Sequence, residues 1–472
     1  MSSNFLRWLG LGLMMLTTLT TLARADAPGA LRQELAAIAG DPAFPLASLS
    51  VLAVRGGKIV AHEQFGHRFI DELEPARNMP ANADTMYRIA SISKLIVSLG
   101  VMRLVEDGKL ELDADVGRYL GFRLRNPHFP RLPITLRQLL SHTSSIRDDG
   151  GYHWSASQNV DFKDVFLPGG SQHGEGAMWS REAGPGAWFQ YANLPWGVVA
   201  AVMERATGER FDRLMRRLIL DPMGLRGGFH PADFSARDLA DTATLYRKAV
   251  EVDDRQVWNP AGPWVAQTDD YRSAAPVPRA RPDYIIGSNG TLFGPMGNCR
   301  LTVEGLGQVM LMLMNDGRHE GRQILGRDSV RQMLDTQWRH DGRTGNGRGV
   351  GNGNGNGKGN GNSSGETDVD TQLEAMNAWG LGVQIFMDIS GPGRGDRLVP
   401  GGGWRGAGHL GEAYGLTSAM VFDPATKSGM VFLIGGTGFD PETNPGAWSA
   451  MHRHEERILG AIHKHVFGGG AR

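Results

Sequence analysis

The sequence predicts an α/β fold in which an antiparallel sheet, built from both ends of the chain, is flanked by helices and accompanied by a helical subdomain. Three observations predict this fold. Strand patterns occur near the N-terminus, helical patterns fill the middle of the chain, and strand patterns return in the final third. Since 472 residues can bury a large core, strands from the two ends are able to share one sheet.

The first predicted element is a β-hairpin over residues 47–66. Apolar and polar side chains alternate on both sides of Gly56-Gly57. Two consecutive glycines suit the tight turn between antiparallel strands. The N-terminal part of the chain is therefore expected to supply two neighbouring strands.

The middle of the chain is predicted to be mainly helical. In "YRIASISKLIV" (87–97) and the residues after it, apolar side chains recur at helical spacing, and Gly108 stands where a C-terminal cap is expected. Further helices are predicted over 134–146, 194–208, 302–317, 327–338 and 453–467. The strands of the final third are predicted over 379–389, 414–424 and 428–436.

Charge and cysteine content exclude several classes of function. The chain has 49 basic and 50 acidic side chains, so no net field attracts nucleic acid or an anionic membrane. The single cysteine, Cys299, excludes an intrachain disulfide and a cysteine-based metal cluster. We expect Cys299 to be a small buried side chain rather than a nucleophile.

The N-terminus has the pattern of a secretory signal peptide. Arg7 precedes the apolar run Trp8–Leu16, and Ala23-Arg24-Ala25 forms a small-x-small cleavage site. We therefore expect residues 1–25 to be removed and 26–472 to act in a periplasm or outside the cell, without stable membrane insertion. The alternative is an N-terminal segment kept as an anchor, for which the apolar run is short.

Residues 342–365 interrupt the predicted domain with a Gly/Asn-rich tract. The tract holds 11 of the 66 glycines and almost no apolar side chains. Such a composition cannot offset the entropy of ordering through burial. We interpret the tract as a flexible surface insertion within the single domain 26–472, and its few basic residues do not indicate nucleic-acid binding.

Ser91 and Lys94 form the first candidate for chemistry. Residues three apart lie on one face of a helix, so Lys94 reaches Ser91 if the helix begins at the serine. Burial on an apolar helix would lower the pKa of the amine and allow it to act as a base. The alternative is that Ser91 only caps the helix while Lys94 extends to solvent.

The second candidate is Tyr191-Ala192-Asn193 in "PGAWFQYANLPWG", directly before a predicted helix. A nearby lysine would stabilise the phenolate of Tyr191 and make it a competent base. Asn193 offers one acceptor and two donors, enough to position a lysine and a substrate amide. The alternative is a core tyrosine followed by an N-cap asparagine.

The third candidate is His409-Leu410-Gly411 in "GAGHLGEAYG", which is predicted to open a strand. The glycines allow another backbone to approach closely. An exposed strand edge at this point could hold an acyl substrate through main-chain hydrogen bonds.

In this order, the three motifs resemble those of the serine β-lactamase and penicillin-binding-protein superfamily, and in particular its branch of class C β-lactamases, DD-peptidases and esterases. The resemblance runs from about residue 30 to 465 and includes "YRIASISK", "ITLRQLLSHTSSI", "PGAWFQYANLPWGVVAAVMERATG", "DPMGL" and "WGLGVQI". It implies the β-lactamase/transpeptidase-like sandwich with its helical subdomain.

The resemblance also implies residue roles. Ser91 would be the acylated nucleophile, Lys94 its activator, and Tyr191 a general base acting with Lys94 in both half-reactions. Asn193 would orient Lys94 and the substrate amide. The backbone N–H groups of Ser91 and Glu412 would form the oxyanion hole, and neither a metal nor a cofactor is expected.

The third motif departs from the family pattern, which has a hydroxyl residue where this chain has Leu410. That hydroxyl helps to hold a substrate carboxylate, and Glu412 would disfavour an anionic substrate if it faced the pocket. We therefore expect an exported serine hydrolase acting on an ester, or on an amide such as a D-amino-acid peptide. The alternatives are a β-lactamase and a non-catalytic penicillin-binding or cell-wall ligand-binding protein. His142 is expected to lie in a structural turn.

Overall fold

The computed structural model describes residues 27–341, 343–345, 375–391 and 395–468. The predicted signal peptide 1–25 lies outside the described residues, and so does the predicted tract 342–365 apart from 343–345. Within the described ranges, every helix is too short or too polar to cross a membrane.

Strands occur near both ends of the chain, as the sequence predicts. Within the described residues they are β1 (Ser48–Arg55), β2 (Lys58–Phe69), β3 (Met79–Pro80), β4 (Met86–Arg88), β5 (Leu245–Val252), β6 (Arg255–Trp258), β7 (Trp264–Thr268), β8 (Arg300–Thr302), β9 (Arg318–His319), β10 (Arg322–Gln323), β11 (Trp338–Arg339), β12 (Ala378–Trp379), β13 (Gln384–Phe386), β14 (Gly406–Ala413), β15 (Leu416–Asp423), β16 (Ser428–Ile434) and β17 (Gly436–Thr437).

Helices lie mainly between these two groups of strands. The α-helices of the described part are α1 (Ala27–Ala39), α2 (Ile92–Glu106), α3 (Gly117–Leu120), α4 (Leu136–Leu140), α5 (Phe162–Phe166), α6 (Leu194–Thr207), α7 (Phe211–Met215), α8 (Ala236–Asp241), α9 (Val303–Met314), α10 (Arg327–Leu334) and α11 (Arg453–Ile462). Short 3₁₀ turns cover Pro75–Arg77, Ala156–Gln158, Asp221–Met223, Pro231–Asp233 and Pro441–Thr443, and π turns cover Arg216–Leu220 and His463–Phe467.

One antiparallel sheet of nine strands joins the two ends of the chain, in the order β11-β12-β13-β14-β15-β16-β1-β2-β3. The N-terminal strand β1 lies between its hairpin partner β2 and the C-terminal strand β16, and Leu49 pairs with Ile434. The hairpin turn uses Gly56 and Gly57 at φ values of 57° and 75°, which glycine adopts without strain.

The sheet separates two apolar layers because side chains alternate along each strand. On β1, Leu52 and Val54 face the inner layer with α2, α6 and α9. Val51 and Ala53 face the outer layer, where α1 and α11 pack. Helix α2 is buried around most of its circumference, which explains its nearly uniform apolar sequence. The predicted α/β sandwich is confirmed.

Smaller sheets were not predicted: β4, β8 and β17 have only two or three residues each, and the eight-residue β5 was missed. Strand β4 pairs with β8, and β5 pairs with β6, β7 and β17. The pairing of β4 with β8 fixes the segment immediately before α2, since Arg88 lies opposite Arg300. These strands form by long-range contacts that local periodicity does not report.

Two predicted helices are shorter than expected. The helix predicted over 134–146 ends at Leu140, because His142 and Ser145 adopt left-handed φ values of 57° and 64°. The helix predicted over 327–338 ends at Leu334, and Trp338 belongs instead to β11. In both cases a buried apolar residue after the end of the helix, Ile146 or Trp338, continues the helical spacing although it lies outside the helix.

The first residues of the predicted Gly/Asn tract belong to the packed structure. The carbonyl of Thr344 accepts the backbone N–H of Phe189 at 2.8 Å and the indole N–H of Trp338 at 2.9 Å. The rings of Phe189 and Trp338 stack with centroids 3.9 Å apart, and Gly345 bridges to Phe189. Residues 343–345 of the predicted insertion therefore contact the packed structure, and the bounds 342–365 remain a prediction.

Candidate active site

Ser91 lies at the N-terminus of α2, at the junction with the segment that follows β4. Its side chain makes no capping hydrogen bond to the helix, and Ala90 before it has a left-handed φ of 43°. The residue is 9% exposed. The hydroxyl therefore has no capping role and lies at the positive end of the helix dipole.

Lys94 lies one turn further along α2 and is completely buried, with 0% exposure. Its Nζ lies 3.0 Å from Ser91 Oγ, 2.9 Å from Asn193 Oδ1 and 2.8 Å from the carbonyl oxygen of Met296. Burial lowers the pKa of Lys94 to about 7. The alternative in which this lysine extends to solvent does not occur.

These three contacts direct the lone pair of the neutral amine. A neutral lysine has two N–H donors and one lone pair, and the oxygens of Asn193 and Met296 can only accept. Once both N–H groups are donated to them, the lone pair is left facing Ser91. The arrangement can remove a proton from the serine hydroxyl.

Tyr191 and Asn193 come to this pair from the segment before α6. The Tyr191 hydroxyl hydrogen-bonds Ser91, and the Lys94 Nζ lies 5.0 Å from the centroid of its ring. Burial raises the pKa of Tyr191 above its ordinary value, opposite to the direction expected from the sequence. Burial therefore favours the neutral phenol at physiological pH, and stabilisation of a phenolate by Lys94 remains a prediction of the sequence.

His142 supports the Tyr191 ring. The two rings stack with centroids 4.3 Å apart, and Nδ1 of His142 accepts the backbone N–H of Ala192 at 3.2 Å. Burial keeps the pKa of His142 well below its ordinary range, so the imidazole is neutral. The sequence placed His142 in a structural turn, and the structure adds this stacking contact.

Sequence reasoning missed Asp148. Its carboxylate is 3% exposed and accepts the backbone N–H groups of Asn193 and Leu194, each at 2.8 Å, and Nδ2 of Asn193 at 3.0 Å. Burial raises its pKa to about 6, although these hydrogen bonds oppose the shift. No spacing signal marks Asp148, because it reaches the site from an irregular loop.

The third motif lies within β14 rather than at its start, and its side chains alternate between the two faces of the sheet. His409 faces the site: its ring centroid lies 6.3 Å from that of Tyr191, and burial lowers its pKa to about 3. Gly411 lies against the segment before Ser91, since a Cβ there would be 2.8 Å from the carbonyl oxygen of Ile89.

Leu410 and Glu412 point to the opposite face. Leu410 packs against the outer apolar layer. The Glu412 carboxylate lies 3.5 Å from Nε2 of His452; burial opposes protonation, but this hydrogen bond and the carboxylate charge raise the pKa of His452 to about 9. The structure therefore does not place the Leu410 side chain or the Glu412 carboxylate beside Ser91.

Beside the site, β14 extends beyond its pairing with β13. Strand β13 pairs with it only at Gly406, Ala407 and Gly408. Across the described ranges, no named strand pairs with this edge from His409 onward. A strand edge next to a nucleophile can bind an extended substrate through main-chain hydrogen bonds.

The fold and the buried serine–lysine pair define the class of proteins built on the β-lactamase sandwich. The family model described as Beta-lactamase matches residues 44–452. The chain belongs to this family, and the resemblance inferred from the three motifs is confirmed at that level.

Curated relatives include several named activities. Esterase EstB of Burkholderia gladioli is 36% identical over 168 residues, which are 33% of this chain and 41% of the esterase. Penicillin-binding protein 4* of Bacillus subtilis is 29% identical over 182 residues, 37% of this chain and 36% of that protein. The carboxypeptidase/endopeptidase AmpH of Escherichia coli is 27% identical over 172 residues, 34% of this chain and 40% of AmpH. The alignments thus span about two fifths of these relatives.

Solved structures share the fold across most of the chain. The D-amino acid amidase from Ochrobactrum anthropi SV3 has a TM-score of 0.55 at 19% identity, covering 93% of this chain and 99% of the amidase. The penicillin-binding protein homologue from Pyrococcus abyssi has a TM-score of 0.54 at 20% identity, covering 88% and 74%. At these identities the likeness concerns the fold.

Proposed function

We propose that this protein is an exported serine hydrolase that forms an acyl-enzyme at Ser91 and hydrolyses an ester or an amide. The observation that carries the proposal is the environment of Lys94. A completely buried amine with a pKa of about 7 has its two N–H groups bound and its lone pair facing Ser91. Such an amine is a base matched to neutral pH.

In acylation, Lys94 accepts the proton of Ser91 as Oγ bonds to the substrate carbonyl carbon. The negative charge that develops on the carbonyl oxygen is stabilised by backbone N–H groups of Ser91 and Glu412. When the bond to the leaving group breaks, the proton on Lys94 passes through the neutral hydroxyl of Tyr191 to the departing oxygen or nitrogen.

Deacylation uses the same groups in reverse. Water bonds to the acyl carbon, its proton passes through Tyr191 to Lys94, and Ser91 Oγ recovers a proton as the ester bond breaks. Because the phenol pKa is raised by burial, Tyr191 acts as a relay for Lys94 and not as a stored phenolate. This refines the general-base role inferred from the family resemblance.

The substrate class rests on the relatives and not on the third motif. Leu410 faces the outer layer and the Glu412 charge is balanced by His452, so neither argues against an anionic substrate. Ester hydrolysis is supported by the similarity to esterase EstB, and cleavage of a D-amino-acid peptide by the similarity to AmpH. β-Lactam hydrolysis remains the alternative activity.

A non-catalytic ligand-binding protein is the second candidate class. The desolvation of Lys94 argues against it, because keeping a lysine neutral inside the core has no use in simple binding. A fluorophosphonate probe distinguishes the two classes, since it labels only an activated serine. Labelling of the wild type but not of Ser91→Ala supports the hydrolase, whereas an unlabelled wild type supports the binder.

The substrate is tested by assaying three compounds side by side: a short-chain nitrophenyl ester, a chromogenic cephalosporin and a D-alanyl-D-alanine peptide. We expect the highest kcat/KM with the ester or the peptide. Efficient cephalosporin turnover would make the protein a β-lactamase, and turnover by Ser91→Ala at the wild-type rate would end the acyl-enzyme proposal.

Export is proposed from the sequence of residues 1–25. Cleavage after Ala25 would leave Asp26 as the first residue, directly before α1. Mass spectrometry of the protein recovered from the periplasm or medium tests this. An intact N-terminus in a membrane fraction would favour a retained anchor.

A further inference from the structure

We propose that Asp148 is a positioning residue of this site, which fixes the side-chain amide of Asn193 so that its oxygen, and not its NH₂ group, faces Lys94. The inference rests on the proposed function, since it concerns how Lys94 is prepared to accept the proton of Ser91.

The contacts of Asp148 determine the orientation of the amide. Nδ2 of Asn193 lies 3.0 Å from Oδ2 of Asp148, and Oδ1 lies 2.9 Å from Nζ of Lys94. A carboxylate only accepts hydrogen bonds, so the edge of the amide that faces Asp148 must be the NH₂ edge. The oxygen is thereby turned towards Lys94.

The reversed amide would disable the lysine. A donor NH₂ group facing Nζ would take the lone pair of the neutral amine, and that lone pair would no longer face Ser91. With the oxygen in place, Asn193 and Met296 each accept one N–H of Lys94. Asp148 therefore acts on Ser91 through two intermediate side chains, Asn193 and Lys94.

The charge of Asp148 also acts on the lysine directly. It opposes the lowering of the Lys94 pKa that burial causes, and Lys94 in turn helps to keep Asp148 ionised. The other titratable groups that sense the carboxylate are the phenols of Tyr152 and Tyr191, whose pKa values burial and Asp148 both raise. Removing the carboxylate charge should therefore lower the pKa of Lys94 further.

A purely structural role is the competing explanation, because Asp148 also accepts the first N–H groups at the start of α6. Glu204 provides a matched control for it. This carboxylate is 0% exposed and accepts the backbone N–H groups of Phe211 at 2.7 Å and Gly287 at 2.6 Å. It is absent from the contacts of Ser91, Lys94 and Asn193 described above.

The experiment compares Asp148→Asn with Glu204→Gln by measuring the rate constant for fluorophosphonate labelling of Ser91 against pH. For Asp148→Asn we expect the plateau rate to fall by at least about 10²-fold, as for a disabled acid–base group. We also expect the acid limb of the profile to move to lower pH. Glu204→Gln should lower thermal stability and leave the acid limb unmoved.

Two outcomes overturn the proposal. One is an Asp148→Asn protein that labels at the wild-type rate, and the other is a loss without movement of the acid limb, which a structural role would produce. If Asp148→Asn does not fold, Asp148→Ser carries the same test, because its hydroxyl can still accept an N–H of α6. Asn193→Leu provides an independent test. If this variant is labelled at the wild-type rate, Asp148 cannot act through the Asn193 amide.

These results are distinguishable from failure of the proposed function. Loss of labelling in Ser91→Ala together with an unchanged Asp148→Asn would overturn only the role of Asp148. Labelling that persists in Ser91→Ala would overturn the acyl-enzyme itself.

Discussion

At the scale of single residues, the chemistry depends on a lysine that the fold keeps uncharged. Lys94 is completely buried; its amine hydrogen-bonds Ser91, Asn193 and Met296, and the charge of Asp148 partly offsets the effect of burial on its pKa. Burying an amine disfavours its protonated form. The same residue should therefore dominate both the pH dependence of the reaction and the local stability.

We expect the rate of Ser91 acylation to rise with pH and to reach half its plateau near pH 7. Below the Lys94 pKa of about 7 the amine is protonated and has no lone pair for the serine proton, whereas above it the neutral amine predominates. Fluorophosphonate labelling rates between about pH 5.5 and 9 measure this. A flat profile over that range would show that Lys94 is not the base.

Lys94→Met should make the protein inactive and more stable. The folded state binds the lysine proton more weakly than the unfolded chain does, so the substitution removes a penalty that exceeds the lost hydrogen bonds. We expect a gain of roughly 1 to 3 kcal/mol at neutral pH. Thermal unfolding measures this stability gain. The control is Lys109→Met, at an exposed position after α2.

The size of this stability gain should also depend on pH. The penalty is complete below the folded pKa of about 7, declines as pH rises, and disappears near the ordinary pKa of 10.5. The stability difference between Lys94→Met and the wild type should therefore shrink from pH 7 to pH 10. A variant less stable than the wild type at pH 6 would contradict this account.

The sequence predicted the part of the site that helical spacing determines. Ser91 and Lys94 are three residues apart on one helix, so their contact follows from local geometry alone. Asp148, His142 and the Met296 carbonyl lie in irregular segments, and their positions depend on how distant parts of the chain pack. The direction of the Leu410 side chain could not be predicted, because it depends on the register of the strand in the sheet.

At the scale of elements, the site depends on how closely β14 approaches the segment before α2. The approach is possible because Gly411 has no side chain: a Cβ there would lie 2.5 Å from Ser418 Oγ and 3.2 Å from the Cβ of Ala90. Glycine at such a position permits close contact between backbones. The distance between the two elements therefore sets the separation of the proposed oxyanion donors, the backbone N–H groups of Ser91 and Glu412.

Gly411→Ala should therefore lower acylation far more than stability. The extra methyl group must push β14 away from Ile89 and Ala90, and we expect about a 10²-fold loss in kcat/KM, as for a displaced oxyanion donor. Gly297→Ala is the matched control, because its Cβ would meet Ala90 at an ordinary contact of 3.7 Å. Equal losses in both variants would show that this approach does not control the reaction.

At the scale of the whole molecule, the Gly/Asn-rich segment after Gly345 is the part that composition marks as separate from the core. Replacing 346–365 by a short Gly-Ser linker should change the melting temperature and kcat/KM little, since loop closure depends only logarithmically on length. Residues 343–345 are kept because Thr344 accepts hydrogen bonds from Phe189 and Trp338. A large loss of activity would assign the segment a function.

The overall architecture could be predicted because its two determinants are visible in the chain. Strand patterns at both ends and helices between them indicate a sheet shared by the termini, and the structure pairs β1 with β16. The pairing of β5 with β17 and of β4 with β8 could not be predicted, because β4, β8 and β17 have only two or three residues each and form through tertiary contacts.

The place of β1 in the sheet has a consequence for the order in which the protein is made. Because β1 pairs with β16, a nascent chain that has not reached Ser428 lacks one of the two neighbours of its first strand. Such non-local pairing delays folding, so the sheet can be completed only once Ser428–Ile434 has been synthesised. Until Ser428–Ile434 has been made, β1 lacks one of its two neighbours, and the sheet that holds the third motif stays incomplete.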